Sequence, residues 1–236
     1  MIKNKYSRQA LLIIVIISAA AFLFSSCGNE KTITDSPDSN KITDSDSNKD
    51  DKNDNKDNSK DIPEVEITKG PEFSSGKYQG EPQFATEWIK SSDGSVSACI
   101  EGKGSEAKEE GIGKIVIKDS KNNKTVFELK DKSNQQSPLY INWWNNENLL
   151  VVIGSGYGTV SKGGNLYIIN IKSGKSAAVV ETKDSKKQVV NAQKDNNDLK
   201  YEVAVFEDDN FVKYHMENKI LSDYSEKMSS IINQLN

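Results

Sequence analysis

Pro138-Leu-Tyr-Ile-Asn-Trp-Trp144, an Asn-rich turn, Leu149-Leu-Val-Val-Ile153, the loop Gly154-Ser-Gly-Tyr-Gly-Thr-Val-Ser-Lys-Gly-Gly164, then Asn165-Leu-Tyr-Ile-Ile-Asn170 is the stretch that decides the fold. Its apolar runs are four to seven residues long and are bounded by Asn and Gly. Such runs read as strands, because a helix needs a longer segment and a 3.6-residue period. After the turn Lys172-Ser-Gly174 comes a further run, Lys175-Ser-Ala-Ala-Val-Val180.

The same order of features occurs one unit earlier. Pro82 precedes Trp88 by six residues, as Pro138 precedes Trp144. A turn at Ser92-Asp-Gly94, a run at 96–100, Gly113-Lys-Ile-Val-Ile-Lys-Asp119, a turn at Lys121-Asn-Asn123 and Lys124-Thr-Val-Phe-Glu-Leu129 follow. The offset is 56 residues at the start and 51 at the end. Self-similarity at such a period marks a repeat architecture. Two units are clear, and a third, degenerate copy is expected over 187–220, with strands at 201–206 and 211–216. No βαβ alternation is present, which argues against a parallel sheet.

Each unit reads as four antiparallel strands and resembles a β-propeller blade. A ring needs about four blades or more, and residues 63–236 have room for three at most. The expectation is an all-β, antiparallel, propeller-like domain that stays open or wraps into a partial barrel. At its end Tyr224, Met228, Ile231, Ile232 and Leu235 form one apolar helical stripe. Asp223 and Glu226 have capping-box spacing. This amphipathic helix is expected to cover the sheet.

Outward toward the N-terminus the composition changes twice. Residues 28–62 hold ten acids and six lysines and almost nothing apolar. That stretch cannot bury enough surface to offset its ordering entropy, so 27–62 reads as a tether. Asp44, Asp46, Asn48 and Asp50 have the spacing of a calcium loop, but Lys49 stands where its Gly is required and Asn55 where its Glu is required.

Residues 1–26 read as a signal peptide: Lys3, Lys5 and Arg8, then a run from Ala10 to Phe24 that is apolar except for Ser18. Ser25-Ser26-Cys27 resembles the lipobox of bacterial lipoproteins. The resemblance implies cleavage before Cys27, lipidation of its thiol, and a membrane-anchored, extracytoplasmic location. Residues 80–220, with the segment running from Gly154 into Leu166-Tyr167, also resemble an uncharacterised lipoprotein family of AT-rich Gram-positive bacteria. That family implies a fold and an address but no activity.

The chain has 31 Lys+Arg against 35 Asp+Glu, a formal net charge of −4, and 35% hydrophobic residues. Nothing beyond the first residues is basic enough for nucleic acid, and Arg8 is the only arginine. With Cys27 lipidated, Cys99 is left alone in an apolar run, where cysteine behaves as a small hydrophobe. His215 is the one histidine, so neither a Cys–His pair nor a zinc ligand set is expected. Glu207, Asp208 and Asp209 sit in a turn, where acids serve conformation. Ser105-Glu-Ala-Lys108 matches a Ser-x-x-Lys pattern without the elements that should accompany it.

These observations give no catalytic residue, metal or cofactor. The 154–164 loop fits neither nucleotide pattern: Thr159 stands where a dinucleotide loop needs Gly, and Gly164 where a phosphate loop needs Lys. It reads either as a tightly turned connection between strands or as a candidate ligand-binding rim formed by Gly156, Tyr157, Gly158 and Lys162, with Trp143 either packed in the core or completing that surface. Trp88 and Trp144 are expected in equivalent buried positions. The function expected is a non-enzymatic binding or scaffold module at the cell envelope, with a protein, peptide or glycan as partner. An envelope-polymer hydrolase is the alternative.

Overall fold

A computed structural model describes residues 67–158 and 161–236. The signal segment, Cys27 and the tether therefore lie outside the described residues. Twelve strands and one helix are present among those described. The first sheet holds β1 (Phe73–Tyr78), β2 (Ile89–Lys90), β3 (Val96–Glu101), β4 (Lys114–Asp119) and β5 (Lys124–Leu129), in the order β1-β5-β4-β3-β2. The second holds β6 (Gln136–Trp143), β7 (Asn148–Ser155), β8 (Gly164–Asn170), β9 (Ser176–Val180), β10 (Lys187–Asp195), β11 (Asp198–Phe206) and β12 (Tyr214–Leu221). All pairings between named strands are antiparallel.

The two aligned units each form a four-stranded meander, β2 to β5 and β6 to β9. The third does not repeat them. Residues 187–221 make a three-stranded meander that joins the second sheet through one bridge, Val189 opposite Gly164. The second sheet curls into a half-barrel, with β10 passing close to β6 and β7. The expected strand at 211–216 starts later, at Tyr214, because Phe211 has a left-handed backbone (φ 56°) inside the turn. Strand β1 has no apolar alternation to announce it. Only Phe73 is buried, and pairing with β5 recruits the rest.

Strand β7 explains the layering. All but its last residue are buried, and its side chains alternate between two cores. Leu149, Val151 and Ile153 join Ile100, Ile115, Phe127 and Ile141 under the first sheet. Leu150 and Val152 join Leu166, Ile168, Val189 and Leu199 on the opposite face. Two-faced burial is why the sequence here is an unbroken apolar run rather than an alternation. Each fully buried Leu or Ile contributes about 1.5–3 kcal/mol.

The helix α1 (Ser225–Asn233) closes the second core, and the whole predicted stripe packs there: Tyr224, Met228, Ile231 and Leu235 buried, Ile232 partly so. The expected capping box does not form. Asp223 takes a left-handed φ of 51° as the chain leaves β12, Tyr224 becomes the N-cap residue, and no side chain caps the helix. The amide N–H of Ser225 instead donates to the Asn197 carbonyl at 3.0 Å.

Candidate functional site

The glycine-rich loop is held in place by contacts that its neighbours demand. A Cβ on Gly163 would sit 1.9 Å from the Val189 carbonyl oxygen. Only glycine permits the close approach by which β10 reaches β8. The side-chain oxygen of Gln188, on β10, then accepts hydrogen bonds from the amide N–H groups of Lys162 (2.8 Å) and Gly163 (3.0 Å). At the other end of the loop the Gly156 N–H donates to the Gln135 carbonyl at 2.8 Å. A Cβ on Gly156 would lie 2.7 Å from the Gly111 carbonyl oxygen, so this position too is closed to larger residues.

Facing this loop is a second one, 102–111, which holds the Ser105-Glu-Ala-Lys108 stretch. It folds back on the chain: the amide N–H of Lys103 and that of Gly104 both donate to the Phe84 carbonyl, at 3.0 and 2.7 Å. Gly102 and Gly104 have φ of 83° and 72°. These two left-handed glycines turn Lys103 inward, and the residue is 2% exposed. The Lys103 ammonium donates to the Gly111 carbonyl at 3.1 Å and the Gly156 carbonyl at 3.2 Å. The two loops are also joined directly, by Gly111 N–H to the Gly156 carbonyl (2.7 Å) and Gly158 N–H to a Glu110 carboxylate oxygen (3.2 Å).

Between the loops lies a cavity of about 400 Å³. The glycine-rich loop contributes Ser155, Gly156, Gly158, Ser161 and Lys162. The facing loop contributes Lys103, Glu106, Ala107, Lys108 and Glu110, and strands β6 and β10 supply a floor of Leu139, Tyr140, Val190 and Asn191. Glu106 pairs with Lys108 at 2.5 Å. Burial pushes Lys103 below the ordinary lysine range, opposed by the more distant Glu110 and Glu109. Burial likewise raises the Tyr140 phenol, whose hydroxyl accepts from the Asn142 amide at 3.3 Å.

Gly156, Gly158 and Lys162 of the candidate rim thus meet at one cavity. Tyr157 is 46% exposed but stands apart from the cavity lining. Its backbone is fixed by Ser155, whose hydroxyl donates to the Tyr157 carbonyl at 2.7 Å. Trp143 is a correction. It is 8% exposed, packed in the core beneath the first sheet, and its indole N–H donates to the Ile89 carbonyl at 3.1 Å. Adjacent strand residues point to opposite faces, and here both faces are interior, so Trp144 enters the second core while Trp143 enters the first. Lys103, Tyr140 and Asn191 were missed. The Gly-Lys-Gly at 102–104 was the available signal for the first.

Other candidates are accounted for. Cys99 is fully buried, and burial, aided by Glu101, pushes its thiol up to about 12. Asp208 accepts from the amides of Val212 and Lys213 at 2.9 and 3.0 Å, the conformational role expected of a turn acid. His215 is exposed between Glu207 (3.0 Å) and Glu217 (3.3 Å). No group of three or more metal-ligating side chains occurs among the described residues.

No curated protein matches the chain. The crystal structure of a protein from Clostridium novyi NT, described as a conserved lipoprotein, is similar to it at 40% sequence identity and a TM-score of 0.63. The match spans 66% of this chain and 98% of that one. A family described as a domain of unknown function, DUF4652, matches residues 28–223. With most of its length so matched, the chain belongs to the DUF4652 family.

Proposed function

We propose that the chain is a lipid-anchored, extracytoplasmic binding module, tethered through Cys27 and holding an envelope partner without turning it over. The Ser25-Ser26-Cys27 motif and the lipoprotein description of the Clostridium novyi relative support the anchor. The observation that carries the binding reading is the cavity between the glycine-rich loop and the 102–111 loop. Its size falls in the range of small-ligand sites, with a few polar groups converging on an apolar floor. Glu106 and Glu110, the two carboxylates of that cavity, already have donors, which favours holding over acid–base work. In this reading the two four-stranded meanders are blade-like repeats, a rigid scaffold that presents loops as many such folds do.

Two measurements test it. Cys27→Ser is expected to abolish incorporation of a labelled fatty acid and release the protein from the membrane fraction. The released chain, used as bait on an envelope extract, is expected to retain a component that Lys162→Glu loses at least tenfold. Acyl label that persists in Cys27→Ser overturns the anchor. Equal retention by Lys162→Glu overturns the site.

A further inference from the structure

Lys103 is a buried ammonium with no carboxylate in direct contact, Glu110 and Glu109 acting on it only from a distance. Among the described residues no carboxylate lies within ion-pair distance of it, and its partners are two neutral carbonyls. An ammonium has three N–H donors, and the two carbonyls take two of them. Taking an unpaired charge out of water is costly. The other buried lysine behaves in the ordinary way: Lys124 reaches Glu81 at 2.7 Å and the Gly80 carbonyl at 2.9 Å. Lys103 differs in lining a cavity.

The charges around that cavity reinforce the point. Lys108 is neutralised by Glu106, and Glu110 is committed to the Gly158 N–H. Lys162 has no carboxylate partner among the described residues and lies over the Tyr214 ring at 5.3 Å. The cavity lining itself holds three lysines against two glutamates, with Glu109 acting on Lys103 from outside the lining. That balance suits a monoanion, whereas a dianion would be repelled by the two glutamates. Ala107, Leu139, Tyr140 and Val190 offer apolar contact beside the charge.

We propose that this cavity binds a carboxylate-bearing ligand with a short apolar body, such as the free C-terminus of a peptide, and that Lys103 supplies the counter-charge, with Lys162 closing over it. This rests on the binding-module reading and names its ligand class. The carboxylate would complete a buried ion pair that the protein by itself leaves half made. The glycine carbonyls hold the ammonium in position, so little side-chain freedom remains to be lost on binding.

The test uses the full chain carrying Cys27→Ser and follows the backbone amide resonances of Gly111, Gly156 and Gly158. The probes are N-acetyl-alanyl-alanine, its carboxamide, and inorganic phosphate. The free acid is expected to shift these resonances saturably, and the carboxamide to bind at least tenfold more weakly, with phosphate no tighter than the acid. Lys103→Met should lose the acid at least tenfold while its Tm stays within about 5 °C of the parent. The Gly156 carbonyl keeps Gly111 N–H as a donor, the Gly111 carbonyl belongs to a half-buried residue that water can reach, and a charge cost is removed. Lys162→Met, at an exposed position, should weaken the acid several-fold and leave the carboxamide unchanged.

No response to the acid, equal binding of acid and carboxamide, tighter binding of phosphate, or full acid binding by both lysine variants would each overturn the proposal. So would a larger fall in the Tm of Lys103→Met, which would make the lysine a clamp between loops. If Lys162→Glu loses the envelope component while acid and carboxamide bind alike, the module reading stands and the ligand class alone fails.

Discussion

His215 shows how a single side chain reports its surroundings. It lies on β12 with Glu207 across the turn and Glu217 two residues on, and hydrogen bonds to both, Glu207 first, raise it above the ordinary histidine value. A raised histidine contributes stability that is fully present below its unfolded value of about 6.5 and is lost as pH rises through the folded value. Because the group is exposed, the contribution is small and screened by salt. Its imidazole resonance should titrate above about 6.5, and Glu207→Gln should bring the midpoint down. A midpoint unmoved by Glu207→Gln would show that the pair does not hold in solution. Cys99 is the opposite case, a group whose burial removes it from chemistry.

At the scale of elements, the tryptophans discriminate between alignment and packing. Trp88 and Trp144 occupy matching places after Pro82 and Pro138, yet only Trp144 is buried. Trp88 is half-buried, with the Lys118 ammonium 4.2 Å from its ring centre. Both β2 and β6 end their sheets, but β2 is two residues long, whereas β6 is eight residues long, with Ile141 and Trp143 in the first core and Tyr140 against the second. Trp143→Ala and Trp144→Ala should each cost about 3–5 kcal/mol, the range for a packed aromatic, and Trp88→Ala clearly less. Chemical denaturation measures all three. Equal losses at Trp88 and Trp144 would restore their equivalence.

At the scale of the molecule, the backbone pairing of β10–β12 with the rest of the second sheet is narrow, while Val189, Ala192 and Leu199 share its core. One bridge, Val189 to Gly164, carries β10 onto β8, and the close passage of Gly163 under the Val189 carbonyl makes it possible. Gly163→Ala places a methyl group against that backbone and should cost at least about 2 kcal/mol, among the larger effects of a single substitution. Hydrogen exchange should show the loss concentrated in β10–β12 if that meander opens as a unit. Uniform loss across both sheets would mean that the helix, packed on the shared second core, couples them more strongly than the bridge.

The antiparallel all-β class, the two four-strand units and the apolar face of the helix were legible because each depends on local periodicity and turn residues. Leu149 to Ile153 must be buried wherever the chain goes, and Asn and Gly must turn. Tyr224, Met228, Ile231 and Leu235 must share a face at helical spacing. The tertiary structure alone decided the rest. Whether Trp143 faces solvent depends on a second layer, since a strand alternates its side chains but does not know which faces are covered. The failure of the third repeat depends on where β10 pairs, a contact between residues 25 apart in sequence. Lys103 meets Gly156 across 53 residues. A charge in a polar loop reads as solvated until another loop closes over it, and no local pattern encodes that closure.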